Sequence, residues 1–249
     1  MRSSNPAFNK GVLSTIQRDV GISSDTMTAK GTGIKTAISL AMLVVAAAFT
    51  WNMVQNGQNP QPLMLGGLVV GLVLGLGTAF KPDWAQYTTP FYAIAEGLFL
   101  GGLSAIIERA FPQVNMTFQA VCLTFGTMFT MLVGYQSGWI KMTAKFKAGI
   151  IAATGGVMLL YLVSLGMRMF TGSGIGFIHS ASPIGIAFSV FVVILAALNL
   201  VLDFDMIDRM VESGAPKKYE WYGAFALVMT LVWLYIEIIR LLAKLHSRD

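Results

Sequence analysis

Residues 197–209 read A-L-N-L-V-L-D-F-D-M-I-D-R, and residues 224–242 read A-F-A-L-V-M-T-L-V-W-L-Y-I-E-I-I-R-L-L. The polar connection E-S-G-A-P-K-K-Y-E-W-Y-G joins them. Both stretches are apolar enough to form helices in lipid, yet they carry Asp203, Asp205 and Glu237. A carboxylate at membrane depth is costly unless it is paired, protonated or hydrated. This helical hairpin is therefore the first place to look for function.

The composition indicates a membrane protein. Of the 249 residues, 55% are hydrophobic and 12% are charged, whereas soluble domains carry about 25% charged residues. Apolar runs long enough to cross a hydrocarbon core of about 30 Å recur along the chain, and helices satisfy their own backbone groups where water is absent. We predict an all-α integral membrane protein with seven transmembrane helices. The net charge of +5 is divided among a tail and short loops, so no nucleic-acid partner is expected.

The predicted organisation is a polar cytoplasmic tail (1–35), one seven-helix membrane domain (36–245) and a short C-terminal tail (246–249). The predicted spans are 36–54, 63–80, 88–110, 116–138, 148–169, 183–211 and 224–245. Glycines recur at four-residue spacing in the second span (Gly67, Gly71, Gly75) and in the third (Gly97, Gly101). Such faces allow helices to approach closely, and we interpret them as packing surfaces.

Lysine and arginine residues are concentrated in the tail and in the connections after even-numbered spans. The positive-inside rule therefore predicts a cytoplasmic N-terminus. Three basic residues conflict with this topology, because a seventh full span leaves them on the non-cytoplasmic side: Arg240, Lys244 and Arg248. A re-entrant seventh segment would return them, although its length favours a full span.

The candidate acids differ in their setting. Glu96 lies inside the third span, either as a structural carboxylate or as a pore-lining or proton-linked group. Asp203 and Asp205 are two positions apart and so point about 200° apart around a helix. One can be buried while the other reaches water or a cation such as Arg209. Asp208 is consistent with an ordinary interfacial charge at a helix end.

Glu237 has an apolar sequence on both sides and Arg240 three residues later. A local ion pair with Arg240 competes with a role as a proton switch, because burial favours the neutral carboxyl group and a cation favours the charged one. In an antiparallel hairpin, Glu237 is level with Asp205 or Asp203 only if the chain turns near residue 221. Two facing acids share a proton or present oxygens to a hard cation such as Ca²⁺.

Enzyme motifs are weak. G-Y-Q-S-G at residues 134–138 has the wrong order for a nucleophile turn, and no Walker A or H-E-x-x-H motif occurs. We expect neither an enzyme nor a bound cofactor.

Three strings together resemble the Bax inhibitor-1-like family. They are E-G-L-F-L-G-G-L-S (96–104), L-D-F-D-M-I (202–207) and W-L-Y-I-E-I-I-R-L-L (233–242), and the opening M-R-S-S-N-P resembles a bacterial branch. The resemblance implies seven helices with a central last helix, a bacterial inner membrane, and a pH-sensitive calcium leak. It also implies an acidic latch between the last two helices.

Carried over by position, the resemblance assigns Asp205 to the sixth-helix place of the latch, with Asp203 as the alternative, and Glu237 to the seventh. Asp205 and Glu237 are then the candidate ligands for transported Ca²⁺. The chain departs from the family by having glutamate rather than aspartate in the seventh helix and a longer connection.

The expected partners are the lipid bilayer, Ca²⁺ or other cations, and other membrane proteins. Two alternatives stay open: a non-conducting protein that binds or stabilises membrane-protein partners, and a proton-coupled transporter.

Overall fold

The computed structural model describes residues 25–247, except for the side chain of His179. Most of the predicted N-terminal tail and residues 248–249 lie outside this range. Within it, seven helices are long and apolar enough to cross a membrane, which confirms the all-α, seven-span prediction. They are α1 (Ala29–Gln55), α2 (Gln61–Phe80), α3 (Ala85–Ala110), α4 (Met116–Gln136), α5 (Ala144–Thr171), α6 (Pro183–Glu212) and α7 (Glu220–His246).

Three shorter elements accompany the long helices. They are the 3₁₀ turns Pro82–Trp84 and Lys217–Tyr219 and the single-turn helix Gly176–His179, which lies where the sequence predicts a loop.

Several of the long helices begin earlier than their apolar character indicates, and α1 and α7 show why. Helix α1 starts at Ala29 rather than near residue 36 because Thr28 caps it, with Thr28 Oγ1 accepting from Gly31 N at 2.9 Å. Helix α7 starts at Glu220 rather than at 224. In both cases the first turn is polar, so hydropathy alone assigns it to a loop.

One compact unit contains residues 25–114 and 203–232. Its helices approach each other closely at glycine residues, which have no side chain. A Cβ added to Gly101 would overlap Ala47 O of α1, and one added to Gly67 would lie 2.5 Å from Ala95 O of α3. The prediction that these glycine faces serve packing is confirmed.

A second compact unit contains residues 115–202 and 233–247. It has its own apolar core, in which aromatic side chains pack against buried aliphatic ones. The buried members are Ile150, Val157, Val192, Leu195 and Leu202, and the partly buried residues against them include Tyr161, Phe188 and Trp233.

The connection between α6 and α7 turns earlier than a level Asp205–Glu237 pair requires. Helix α6 ends at Glu212, and Gly214 adopts φ +71°, a left-handed conformation that favours glycine. The turn therefore falls at residues 213–216, and the requirement of a turn near residue 221 is not met. Helix α7 is one uninterrupted helix, so no break within it returns the chain in the way a re-entrant segment needs. It is also the most buried of the seven spans.

Candidate functional site

Asp203 joins the last two helices. Its side chain is 1% exposed, and Asp203 Oδ2 accepts a 2.6 Å hydrogen bond from Thr230 Oγ1 of α7. The two residue numbers are centred near Pro216, so a turn at residues 213–216 brings them to the same depth. In the first unit, a hydrogen bond between a carboxylate and a hydroxyl therefore links α6 to α7.

Asp205 faces a different partner. Arg209 Nε lies 3.1 Å from Asp205 Oδ2, one turn along the same helix, and the Asp205 side chain is 14% exposed. The expectation from spacing, that Asp203 and Asp205 point to different surroundings, is met. Asp208 is partly exposed, which agrees with its interpretation as an interfacial charge.

Glu96 occupies a pocket between α2 and α3. Its side chain is buried, and the Tyr92 hydroxyl, one turn earlier in α3, donates to its carboxylate. A Cβ added to Gly71 of α2 would lie 2.7 Å from Glu96 Oε1, so the glycine makes room for the carboxylate. The Tyr92 ring packs edge-on against Phe225 of α7, with 5.1 Å between ring centroids. Glu96 is thus held between the packed helices of the first unit.

Glu237 belongs to a three-residue cluster in the second unit. It is 1% exposed, and Tyr161 Oη donates to its two oxygens at 3.0 and 3.2 Å. Arg240 Nη1 lies 3.1 Å from Glu237 Oε1 and 2.8 Å from Tyr161 Oη. The carboxylate, phenol and guanidinium therefore form a closed triangle, and Arg240 is an actual partner of Glu237.

Lys244 follows on the same helix with all three of its ammonium hydrogens engaged. It is 5% exposed, and its Nζ donates to Ile178 O (2.7 Å), Gly185 O (3.0 Å) and Ser189 Oγ (2.7 Å). With Arg240 also engaged inside the protein, neither basic residue is simply a solvated loop charge. The positive-inside rule counts basic residues in loops, so these two lysine and arginine side chains argue less strongly against a seventh full span.

The acids and Arg240 were identifiable from the sequence, whereas their hydroxyl partners and the role of Lys244 were not. The missed partners are Tyr92, Tyr161 and Thr230. Polar side chains in apolar helices are the available signal, since each needs a hydrogen bond there. Which of them meet depends on how the helices are rotated against one another, and hydropathy does not report that rotation.

Calcium ligation through Asp205 and Glu237 stays a prediction. Within residues 25–247, no group of three or more His, Cys, Asp or Glu side chains is arranged to hold a metal ion. Glu237 would have to exchange its bonds to Tyr161 and Arg240 before it could meet a cation or a second acid. Any latch at this position therefore involves the guanidinium and the phenol as well.

Comparison with known proteins adds one finding. A family model described as Bax inhibitor 1 like matches residues 5–247, nearly the whole chain. Neither a comparison with curated proteins nor one with solved structures found a match.

Proposed function

This chain belongs to the Bax inhibitor 1 like family, and we propose that it lets Ca²⁺ or another cation leak down its gradient through a pH-sensitive gate. It is a multi-pass membrane protein. The proposal includes a bacterial inner membrane with the N-terminus in the cytoplasm, and it involves neither an enzymatic step nor a cofactor. Its support comes from the family membership and from the buried acids.

The observation that carries the proposal is the burial of carboxylates in three apolar helices. Glu96, Asp203 and Glu237 are each at most 8% exposed. A carboxylate at membrane depth has to be stabilised and is a functional candidate by default. Each of these acids accepts from a side-chain hydroxyl, a partner that can rotate to donate or to accept. Such sites can gain or lose a proton without leaving a polar group unpaired.

The proposed gate acts through α6 and α7. When Asp203 is ionised, its bond to Thr230 is charge-assisted and strong; protonation weakens it and loosens the contact between the two helices. Protonation of Glu237 likewise weakens its attraction to Arg240. Pairing of Asp205 with Glu237 stays a prediction: with the turn at residues 213–216 it requires α6 and α7 to slide along each other as well as Glu237 to leave Arg240.

The test is calcium flux into proteoliposomes that contain a calcium dye, measured between about pH 6 and pH 8, because buried carboxyl groups as a class can titrate near neutral pH. Asp203→Asn, Glu237→Gln and Asp205→Asn are compared with the wild type. We expect wild-type flux that changes with pH. Asp203→Asn and Glu237→Gln should flatten that response, because neither amide can be ionised.

The matched control is Glu212→Gln at the exposed end of α6, which removes a carboxylate of the same helix without removing a buried acid. It should leave the pH response intact. An unchanged pH response in all three test variants would rule out the gate. Absence of flux in the wild type, together with a co-purifying membrane protein, would favour the partner-binding alternative, and saturable solute uptake would favour the proton-coupled transporter.

A further inference from the structure

The segment that precedes α1 is attached to the α6–α7 connection. Met27 N donates to Ala215 O at 2.8 Å, and Lys217 N donates to Asp25 O at 3.0 Å. Met27 is 1% exposed and Ala215 is fully buried. These bonds make a short antiparallel pairing between residues 25–27 and 215–217, distant in sequence but joined in the first unit.

Glu220, the first residue of α7, is the centre of this contact. Its side chain is 2% exposed, and its Oε1 accepts from Thr28 N at 2.9 Å and from Thr28 Oγ1 at 3.1 Å. Its Oε2 forms an ion pair with Lys35 Nζ of α1. A Cβ added to Gly31 would overlap the Glu220 carboxylate, so α1 has a notch that receives it.

The same threonine serves both helices. Thr28 Oγ1 accepts from Gly31 N as the N-cap of α1 and donates to Glu220 at the start of α7. A negative charge is favourable at a helix N-terminus, so Glu220 stabilises the beginning of its own helix as well as the contact. Moving α7 away from α1 would break the cap-to-carboxylate bond and the Lys35 ion pair together.

Two solvent-exposed ion pairs lie beside this contact between the start of α1 and the α6–α7 connection. Lys217 Nζ is 2.9 Å from Asp25 Oδ2, and Lys218 Nζ is 2.7 Å from Asp83 Oδ1 in the α2–α3 connection. Exposed pairs contribute little, so the buried Glu220 bonds dominate. These contacts also bring the start of α1, the α2–α3 connection and the α6–α7 connection together, as expected if all three lie on one side of a membrane.

We propose that this N-terminal clamp, residues 25–28 and Lys35 bound to residues 215–220, restrains the α6–α7 hairpin and sets how readily the cation path opens. The inference rests on the proposed function. The clamp holds the short connection between the helices that carry Asp203 and Thr230, and those helices cannot separate freely while it is intact. Glu220 and Lys35 are positioning residues: they act on the gate through the connection.

The first experiment locks the clamp in the full-length protein. Thr26→Cys and Pro216→Cys are introduced into a Cys122→Ser background, since residues 26 and 216 form an antiparallel bridge and Cys122 is a free thiol. Oxidation with copper–phenanthroline should join the two cysteines and lower calcium flux in proteoliposomes by about fivefold or more, the scale of an ordinary coupling between sites. Reduction should restore the flux.

The second experiment releases the clamp. Glu220→Gln and Lys35→Met should raise flux about fivefold or more and slow the 26–216 cross-link, whereas Lys35→Arg should resemble the wild type. Lys35→Met keeps the test decisive if Glu220→Gln fails to fold, because Lys35 is partly exposed. The matched control, Lys30→Met, removes an exposed lysine of α1 outside the clamp and should change neither readout.

The outcomes separate the two proposals. Flux that does not change when the 26–216 disulfide forms in the double-cysteine variant, together with unchanged flux in both release variants, would overturn the clamp and leave the leak standing. A wild type that conducts no cation would overturn the proposed function and this inference with it. Increased flux in Lys35→Arg equal to that in Lys35→Met would also contradict the clamp, because the ion pair survives in the arginine variant.

Discussion

Thr230 Oγ1 donates to Asp203 Oδ2 over 2.6 Å, so a hydrogen bond between a carboxylate and a neutral hydroxyl links α6 to α7 in the first unit. The sequence alone directs attention to pairs of acids. The structure adds a hydroxyl that stabilises the ionised acid without competing for its proton. The contact is buried, because Asp203 is 1% and Thr230 4% exposed.

Thr230→Val should therefore destabilise the protein by roughly 1–2 kcal/mol, the upper range for hydrogen bonds inside membrane proteins and typical of bonds to charged groups. Valine keeps the shape of threonine and removes only the hydroxyl. Thr230→Ser retains the donor and should lose less. Thermal unfolding in detergent measures both. The double variant Thr230→Val/Asp203→Asn should lose less stability than the sum of the two single losses. Strictly additive losses would mean that the hydrogen bond between these residues contributes nothing to stability.

The seven spans were predictable because a helix that crosses lipid must be predominantly apolar over about 20 residues. The ends of α1 and α7 were not, because Thr28 and Glu220 extend these helices into polar sequence through capping and ion pairing. The sequence left the position of the turn open, because it stated only that a level pairing of Asp205 with Glu237 needs a turn near residue 221. The left-handed Gly214 instead fixes the turn locally at residues 213–216.

The Glu237 cluster predicts strong coupling between its members. Arg240→Gln leaves Glu237 buried with Tyr161 but without its cation, and should cost roughly 1–3 kcal/mol, because the arginine is itself 32% exposed and partly screened. Adding Glu237→Gln should recover part of that loss by removing the buried charge. A double-mutant cycle on unfolding in detergent measures the coupling. Tyr161→Phe, which keeps the ring and removes the hydroxyl, should give a smaller loss than Arg240→Gln; a larger loss would mean that the phenol, not the guanidinium, holds the acid.

Lys244 gives a prediction about a buried cation. Lys244→Met keeps much of the side-chain volume and leaves Ile178 O, Gly185 O and Ser189 Oγ without this donor. We expect a loss of roughly 2–4 kcal/mol, since several buried acceptors lose a bond to a charged group together. Lys145→Met is the control, because the same change at an exposed lysine of α5 should stay within about 0.5 kcal/mol. Equal unfolding temperatures for the two variants would show that the Lys244 bonds are energetically unimportant.

The glycine contact between α1 and α3 gives the sharpest steric prediction. A Cβ at position 101 would overlap Ala47 O, a backbone atom that can move only if α1 and α3 separate. Gly101→Ala should therefore destabilise the protein by roughly 1–3 kcal/mol, as overpacking does, despite the better helix propensity of alanine.

Gly156 of α5 is the matched control for this steric effect. A Cβ there meets nothing within 4 Å, so only helix propensity acts, and Gly156→Ala should be neutral or stabilising by up to about 1 kcal/mol. Opposite signs for the two Gly→Ala changes in the same unfolding assay are the expected result. A loss in both variants would point to a general intolerance of alanine, and no loss in Gly101→Ala would mean that α1 and α3 can move apart at little cost.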